Sequence, residues 1–180
     1  MSDYENRLKR EFHNYLVQKG VVDERLQSTV DIEERWQTVA ASYIPDGIKE
    51  FQNYPEASLG WMMYTGMALA HLWDEDWKLY SSIAEPYLYL KSKRGYDRMD
   101  EYIREEVLNL QADDYVNVEE LVGDCASFVY SFLRHQGIEP GTVAAFNAYV
   151  DSLHQMYIMG AAIEFKRLGY SMQKVDSIYS

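Results

Sequence analysis

Apolar residues along this chain recur mainly at steps of three and four positions, which is the spacing of one face of an α-helix. Residues 99–110 illustrate the pattern, with one stripe formed by Met99, Ile103, Val107 and Leu110. Regular alternation of apolar and polar residues, the mark of a half-buried strand, is nearly absent. The pattern therefore predicts an all-α fold built as a multi-helix bundle.

Three long helices are predicted to form the core of this bundle, over residues 56–80, 117–136 and 140–169. Residues 59–80, LGWMMYTGMALAHLWDEDWKLY, are apolar on nearly every side, so the first of these helices should lie among the others. Asn117 and Glu120 have the spacing of a capping box and predict where the second helix begins. Pro140 and Gly169 are the expected bounds of the third.

Shorter helices are predicted around these three. The amino-terminal ones cover residues 3–19, 23–43 with a break near Ser28, and 48–53. Pro45 and Gly47 should separate the last two, because proline lacks the amide donor and glycine relaxes the backbone. Residues 96–111 are expected to form a further helix, whereas residues 87–90 fit either a helical turn, which is favoured, or a short extended segment. Residues 170–180 are expected to be a polar tail.

The chain shows no internal repeat and no linker rich in Pro, Ser or Gly, so residues 1–180 are expected to form one domain. Four glycines lie inside the predicted helices, at Gly60, Gly66, Gly123 and Gly160. Each costs about 1 kcal/mol relative to alanine. This cost indicates either close approach of two backbones or room for a ligand, and close packing is the favoured explanation.

The charge of the chain argues against nucleic acid as a partner. Its 29 acidic and 17 basic residues give a formal net charge of −12, and such a field repels phosphate backbones. One basic stretch runs from Lys91 to Arg104, but it is interleaved with acidic residues. This stretch is therefore predicted to be a solvated, salt-bridged face.

Membrane insertion and secretion are also disfavoured. The apolar run of the central helix stops at Asp74 after about fifteen residues, short of the roughly 20 that span a bilayer. The amino-terminal residues lack a basic start followed by an apolar run. A secretion signal is therefore not expected, and a cytoplasmic protein is predicted.

Two histidines define the candidate binding site, because His71 and His154 each lie near the middle of a long, mainly apolar helix. At helical spacing His71 shares a face with Tyr64 and Asp74, and His154 lies close to Asp151 and Tyr157. If the two helices present these residues to each other, a polar pocket is enclosed by Tyr64, His71, Asp74, Asp151, His154 and Tyr157. The alternative is that each histidine is a boundary residue bonded to a tyrosine, a carboxylate or a carbonyl.

No metal, cofactor or covalent chemistry is predicted. Asp151-x-x-His154 places two metal-binding groups on adjacent turns, but a di-iron bundle needs two Glu-x-x-His motifs and further glutamates, and no second copy is present. Gly-x-Ser-x-Gly and glycine-rich phosphate loops are absent. The lone Cys125 is expected to be a small buried hydrophobe. Acid–base catalysis by a histidine stays open, so the sequence leaves enzymatic activity undecided.

The sequence carries no motif specific to one reaction, so function is predicted from architecture. The first hypothesis is a non-enzymatic module that associates with another protein or with itself as a homo-oligomer. Tyrosine is enriched at interfaces, and the predicted surface comprises Tyr87, Tyr89, Tyr96 and Tyr102, which cluster around a connection. The alternative is a small-molecule-binding protein or enzyme whose pocket lies between the central and carboxy-terminal helices, lined by Tyr64, His71, His154 and Tyr157.

Overall fold

Helices make up most of the chain that the structure describes. The structure is a computed structural model that describes residues 1–170, and no strand occurs within that range. The helices are Asp3–Gln18 (α1), Val30–Glu34 (α2), Trp36–Asn53 (α3), Pro55–Glu75 (α4), Trp77–Ser82 (α5), Pro86–Arg94 (α6), Met99–Tyr102 (α7), Ala112–Arg134 (α8) and Val143–Arg167 (α9). A 3₁₀ turn, Tyr96–Arg98, precedes α7, and a π-helical turn, Ile103–Val107, follows it. The predicted all-α bundle is confirmed, whereas residues 171–180 of the predicted tail lie outside the described range.

Helices α4 and α9 form the centre of the bundle. Within residues 59–70 every α4 residue except Trp61 is buried, and within residues 152–165 every α9 residue except His154 is buried. Helices α1, α3 and α8 pack around this pair, so the expected central position of α4 is confirmed. Although both central helices are apolar, no helix in the described range has the length and apolar character needed to cross a lipid bilayer.

Two glycines bring the backbones of α4 and α9 into direct contact. A Cβ atom built on Gly66 would lie 2.1 Å from the carbonyl oxygen of Tyr157, and one built on Gly160 would lie 2.2 Å from that of Met63. Carbon and oxygen repel strongly at such distances, so neither position accepts a side chain without movement. The interpretation of these two glycines as points of close approach is confirmed. By contrast, a Cβ atom on Gly123 would meet nothing within 4 Å.

Pro45 does not break α3, so the predicted interruption is wrong. Pro45 and Ala41, whose carbonyl loses its helical partner, are both exposed, and water can reach that carbonyl oxygen. On the other side of the helix, the Tyr43 hydroxyl donates to the Ser58 carbonyl at 2.5 Å, and the Ser58 hydroxyl donates to the Gly47 carbonyl at 2.8 Å. Burial and these contacts outweigh the local cost of proline.

Two other helix boundaries move to residues whose side chains cap the next helix. The central helix stops at Glu75, because Asp76 accepts the Leu79 amide at 3.1 Å and so caps α5. Thr29 caps α2 in the same way. Residues 23–28, predicted as helical, are not helical. In both places the side chain accepts a hydrogen bond from a backbone amide in the first turn of a helix. Such an amide has no partner within its own helix, so the cap stabilises a helix that starts there.

The region around α7 and α8 also differs from the sequence prediction. Helix α8 begins at Ala112, so the predicted capping residue Asn117 lies inside the helix. The helix predicted over residues 96–111 is divided among the 3₁₀ turn, α7 and the π turn, and the chain turns at Asn109, whose φ is 50°. Residues 87–90 are helical within α6, as the sequence pattern favours.

Candidate functional site

The six residues predicted to share one pocket lie in separate surroundings. Helices α4 and α9 do face each other, but their backbones touch at Gly66 and Gly160, which leaves no room for a ligand at that level. Asp151 and His154 line one groove, whereas Tyr64 lines another. The structure therefore does not bring the six residues into one pocket.

His71 is held by a carboxylate in the contact between α4 and α9. Its Nδ1 lies 2.8 Å from Oε2 of Glu164, whose side chain is 1% exposed. Arg167 contacts the same carboxylate, so Glu164 receives two donors. Asp74, one turn from His71, accepts a hydrogen bond from the Tyr170 hydroxyl. These contacts match the alternative in which the histidine is a boundary residue bonded to a carboxylate.

Tyr64 contacts a buried arginine rather than a histidine. Arg104 is 2% exposed, and its guanidinium donates to the Tyr64 hydroxyl at 2.6 Å and to the Tyr115 hydroxyl at 3.1 Å. Asp100 and Glu119 accept from the same guanidinium at 3.2 and 3.1 Å, which balances its charge. The prediction that Arg104 belongs to a solvated face is therefore wrong.

His154 joins α9 to three other helices. Its Nδ1 lies 2.5 Å from Oε2 of Glu5 on α1, and its Nε2 lies 3.3 Å from Oε2 of Glu33 on α2. Its ring stacks on that of Trp36 on α3, with centroids 4.9 Å apart. Tyr157, one turn further along α9, is fully buried and donates to a backbone carbonyl of α2 at 2.7 Å. Both side chains therefore fix the amino-terminal helices to the central one.

Electrostatics around His154 favour its charged form. Burial lowers the pKa of this imidazole, but hydrogen bonds with Glu33 and Glu5 outweigh that effect and raise the pKa to about 9. Burial raises the pKa of the Glu5 carboxyl, but its hydrogen bonds with His154 and Gln155 outweigh that effect, so the pKa is lowered overall. Burial raises the pKa of Asp151, although Ser2 donates to this carboxylate at 2.6 Å. At neutral pH an imidazolium therefore lies among carboxylates.

The free energy of unfolding should fall as pH rises through the pKa of His154. Because this pKa is higher in the folded state, the imidazolium stabilises the fold fully below about 6.5 and loses that effect towards about 9. Since the ring keeps some contact with solvent, we expect a loss of about 2 kcal/mol over this window. Urea denaturation at several pH values should show this loss of stability in the native chain but not in His154→Gln. His135→Gln changes an exposed histidine and is the matched control; an equal loss in all three proteins would contradict the assignment.

A surface groove lies beside His154. It lies between α3 and the first half of α9 and has a volume of about 600 Å³. Its walls are formed by the apolar residues Trp36, Ala40, Ala41, Ile44, Phe146 and Val150, together with the polar residues Gln37 and Asn147. One end is polar and is lined by Ser2, Glu5, Asp151 and His154. This feature is called the acidic groove below.

The four tyrosines predicted as an interface are largely occupied by contacts within the chain. Tyr87 is 0% exposed and donates to Asp46 at 2.6 Å, so its prediction as a surface residue is wrong. Tyr89, Tyr96 and Tyr102 are half-buried. Basic side chains lie over the rings of Tyr89 and Tyr102, and a tryptophan ring stacks on Tyr96. These three tyrosines therefore offer only part of their ring surface to a partner, although Leu88 in the same stretch is 45% exposed.

The sequence pattern does not mark the walls of the acidic groove as a surface. The helical pattern assigns Trp36, Phe146 and Val150 to core stripes, yet Phe146 is 41% exposed and Val150 is half-buried. An apolar stripe shows that something packs against a helix, but it does not show whether that is the same chain or a partner. Spacing alone therefore offers no signal that separates the two.

Metal and thiol chemistry find little support in the described residues. Within residues 1–170 no group of three or more His, Cys, Asp or Glu side chains is placed to hold a metal ion. Burial raises the pKa of the Cys125 thiol to about 12, so this thiol is a poor nucleophile. Comparison of the chain with family models, with curated proteins and with solved structures gives no match.

Proposed function

We propose that this chain is an interaction module whose acidic groove binds a basic amphipathic helix of a partner protein. The observation that carries the proposal is an apolar stripe on the first half of α9 that leads into the acidic groove. Val143 is 77% exposed and Phe146 is 41% exposed, although both are large apolar residues on one helix face. Exposed apolar surface of this kind is typical of sites that a partner covers.

A helical segment fits this surface better than a compact small molecule. Val143, Phe146 and Val150 recur at three- and four-residue steps along α9, and Ala41 and Ile44 on α3 form the facing wall. A groove between two helices accepts the apolar face of a third helix, as in helix-in-groove recognition. The exposed walls would leave a small ligand largely in contact with water, whereas typical ligand pockets bury most of the ligand.

The charges at the His154 end favour a basic segment over a second copy of the chain. Glu5, Glu33 and Asp151 bring three carboxylates to the single imidazolium of His154, and the whole chain has a formal net charge of −12. Glu5 is buried, so lysine or arginine side chains at one end of a docked helix would meet the accessible carboxylates of Glu33 and Asp151. A second copy would bring the same acidic surface and would be repelled.

Binding of a labelled synthetic peptide tests this proposal. The probe is an amphipathic peptide with leucines at three- and four-residue steps and lysines at the remaining positions. A matched peptide carries glutamate in place of every lysine. Fluorescence anisotropy should show saturable binding of the lysine peptide and no binding of the glutamate peptide, because only the first has both an apolar face and the complementary charge.

Substitutions in the acidic groove identify where the lysine peptide binds. Phe146→Ala should weaken binding about tenfold or more, because it removes an apolar anchor. Asp151→Asn should weaken binding less and should reduce its dependence on salt. Val116→Ala truncates an apolar residue of α8 that is 48% exposed, and it should bind like the native chain. Equal binding of the two peptides would contradict the proposal, and a stable dimer that covers Phe146 would favour self-association instead.

A further inference from the structure

The acidic groove is closed at one end and open at the other. The closed end lies at His154, whose ring contacts Glu5 of α1 and Glu33 of α2 and so links these two helices across α9. At the open end, where α9 begins, Val143 is 77% exposed. The distance along α9 from residue 143 to residue 154 is roughly 17 Å, or about three helical turns. A docked helix of this length must therefore place one of its two ends against the closed end.

The accessible charges at the closed end are carboxylates. The Glu33 side chain is 48% exposed, and Asp151 is half-buried and accepts a hydrogen bond from Ser2 at 2.6 Å. The first turn of a helix has backbone N–H groups without partners and the positive end of the helix dipole, whereas the last turn has free carbonyls and the negative end. Carboxylates therefore stabilise the start of a docked helix and repel its end.

The open end favours the same direction for a docked helix. Helix α9 begins there, and its first turn contains no acidic side chain. Thr142 caps it by accepting the Ala145 amide at 3.1 Å, but no carboxylate of that turn balances the positive end of its dipole. A three-turn helix parallel to α9 would bring a second positive end beside this one. An antiparallel helix would bring its negative end instead.

We infer that the amino-terminal end of the partner helix lies at the closed end of the acidic groove, so that the partner helix runs antiparallel to α9. This inference rests on the proposed function and specifies the kind of partner. Lysine or arginine belongs in the first turn of its helix, close to Glu33 and Asp151. Apolar residues follow at three- and four-residue steps and contact Val150 and then Phe146.

Two synthetic peptides of the same composition test the direction. The amino-basic peptide has three lysines in its first turn, followed by leucines at three- and four-residue steps; the carboxy-basic peptide has the leucines first and the three lysines in its last turn. Both are acetylated and amidated, which removes the terminal charges, and both are crosslinked on the outward face so that circular dichroism shows equal helix content. In fluorescence anisotropy the amino-basic peptide should bind about fivefold more tightly, because its charge and its dipole both match the closed end.

Substitutions at the closed end test whether the carboxylates cause this difference. The double variant Glu33→Gln, Asp151→Asn should bind the two peptides with nearly equal affinity, with circular dichroism used to show that it is folded. Asp97→Asn removes an exposed carboxylate that does not line the acidic groove, and it should keep the fivefold difference. A fivefold difference that persists in the double variant would contradict the role of the two carboxylates.

A nitroxide label on the amino-basic peptide reports the direction independently of affinity. A label on its first residue should broaden amide signals of residues 150–154, and a label on its last residue those of residues 143–147. The reverse pattern, or equal binding of the two peptides to the native chain, would overturn this inference and leave the acidic groove as a binding site. Failure of both peptides to bind would instead refute the proposed function, and this inference with it.

Discussion

Gly66→Ala and Gly160→Ala should each lower the free energy of unfolding by about 3 kcal/mol or more. The new Cβ atom would lie 2.1 Å from the Tyr157 carbonyl oxygen in the first variant and 2.2 Å from the Met63 carbonyl oxygen in the second. Both oxygens belong to the backbone of buried helices, so they cannot turn aside as the end of a side chain can. Helices α4 and α9 must therefore move apart, which exposes apolar surface at the most buried contact of the molecule.

Gly123→Ala is the matched control for these two variants. It makes the same substitution at an exposed position of α8, where the new Cβ atom meets nothing within 4 Å. Alanine is favoured over glycine inside a helix, so this variant should gain about 0.5–1 kcal/mol. Urea denaturation followed by circular dichroism measures all three. A loss below about 1 kcal/mol in Gly66→Ala would show that the two backbones are not in contact.

Arg104→Leu should lower the free energy of unfolding by about 3 kcal/mol. The substitution removes the donor to the hydroxyls of Tyr64 and Tyr115 and leaves Asp100, whose side chain is 15% exposed, without its cation. Removing one partner of a buried pair costs more than the intact pair contributes, because the remaining polar groups stay desolvated. Arg104→Lys should recover only part of the loss, since an ammonium cannot reach all of these acceptors in the planar geometry of a guanidinium.

Arg98→Leu is the matched control for Arg104→Leu. Arg98 also pairs with a carboxylate, Glu101 at 2.9 Å, but its side chain is 62% exposed. Water and salt screen such a pair, so its loss should leave the free energy of unfolding nearly unchanged. The same denaturation measurement compares the two variants. Equal losses would contradict the assignment of Arg104 as a buried structural cation.

The centre of the fold could be predicted because its sequence allows one outcome. Residues 59–70 are apolar all round a helix, and only other helices can bury such a surface. Helix ends were less predictable. Pro45 carries a strong local signal for a break and Asp76 only a weak one, yet only Asp76 ends a helix. The difference comes from tertiary contacts, since Tyr43 and Gly47 are packed on both sides of the proline along α3.

The candidate site depends on contacts between helices that are distant in the sequence. Spacing is compatible with contact between α4 and α9, which the structure shows at Gly66 and Gly160, but it does not indicate which side chain each histidine contacts. Glu164 binds His71, whereas Glu5 and Glu33 bind His154. The partners of His154 come from helices far away in the sequence, and their packing order is not visible in local patterns. The spacing that predicts a shared pocket is equally compatible with separate ion pairs.

Burial of single side chains was the least predictable property. Arg104 lies in a stretch rich in charges and is 2% exposed, whereas Phe146 lies in an apolar stripe and is 41% exposed. Residue type and position in the helical pattern do not distinguish Arg104 from an ordinary surface residue. Nor do they distinguish Phe146 from an ordinary core residue. The residues that pack nearby in the folded chain decide whether a side chain is buried, and they leave the walls of the acidic groove exposed.

Chemical-shift mapping of the lysine peptide on the isotope-labelled native chain is the most direct test of the acidic groove as a partner-binding surface. The largest amide shifts should fall in residues 36–44 of α3 and residues 143–154 of α9, and the glutamate peptide should produce none. The largest shifts around Tyr89 and Tyr102 would contradict this assignment. So would a spectrum that the lysine peptide leaves unchanged.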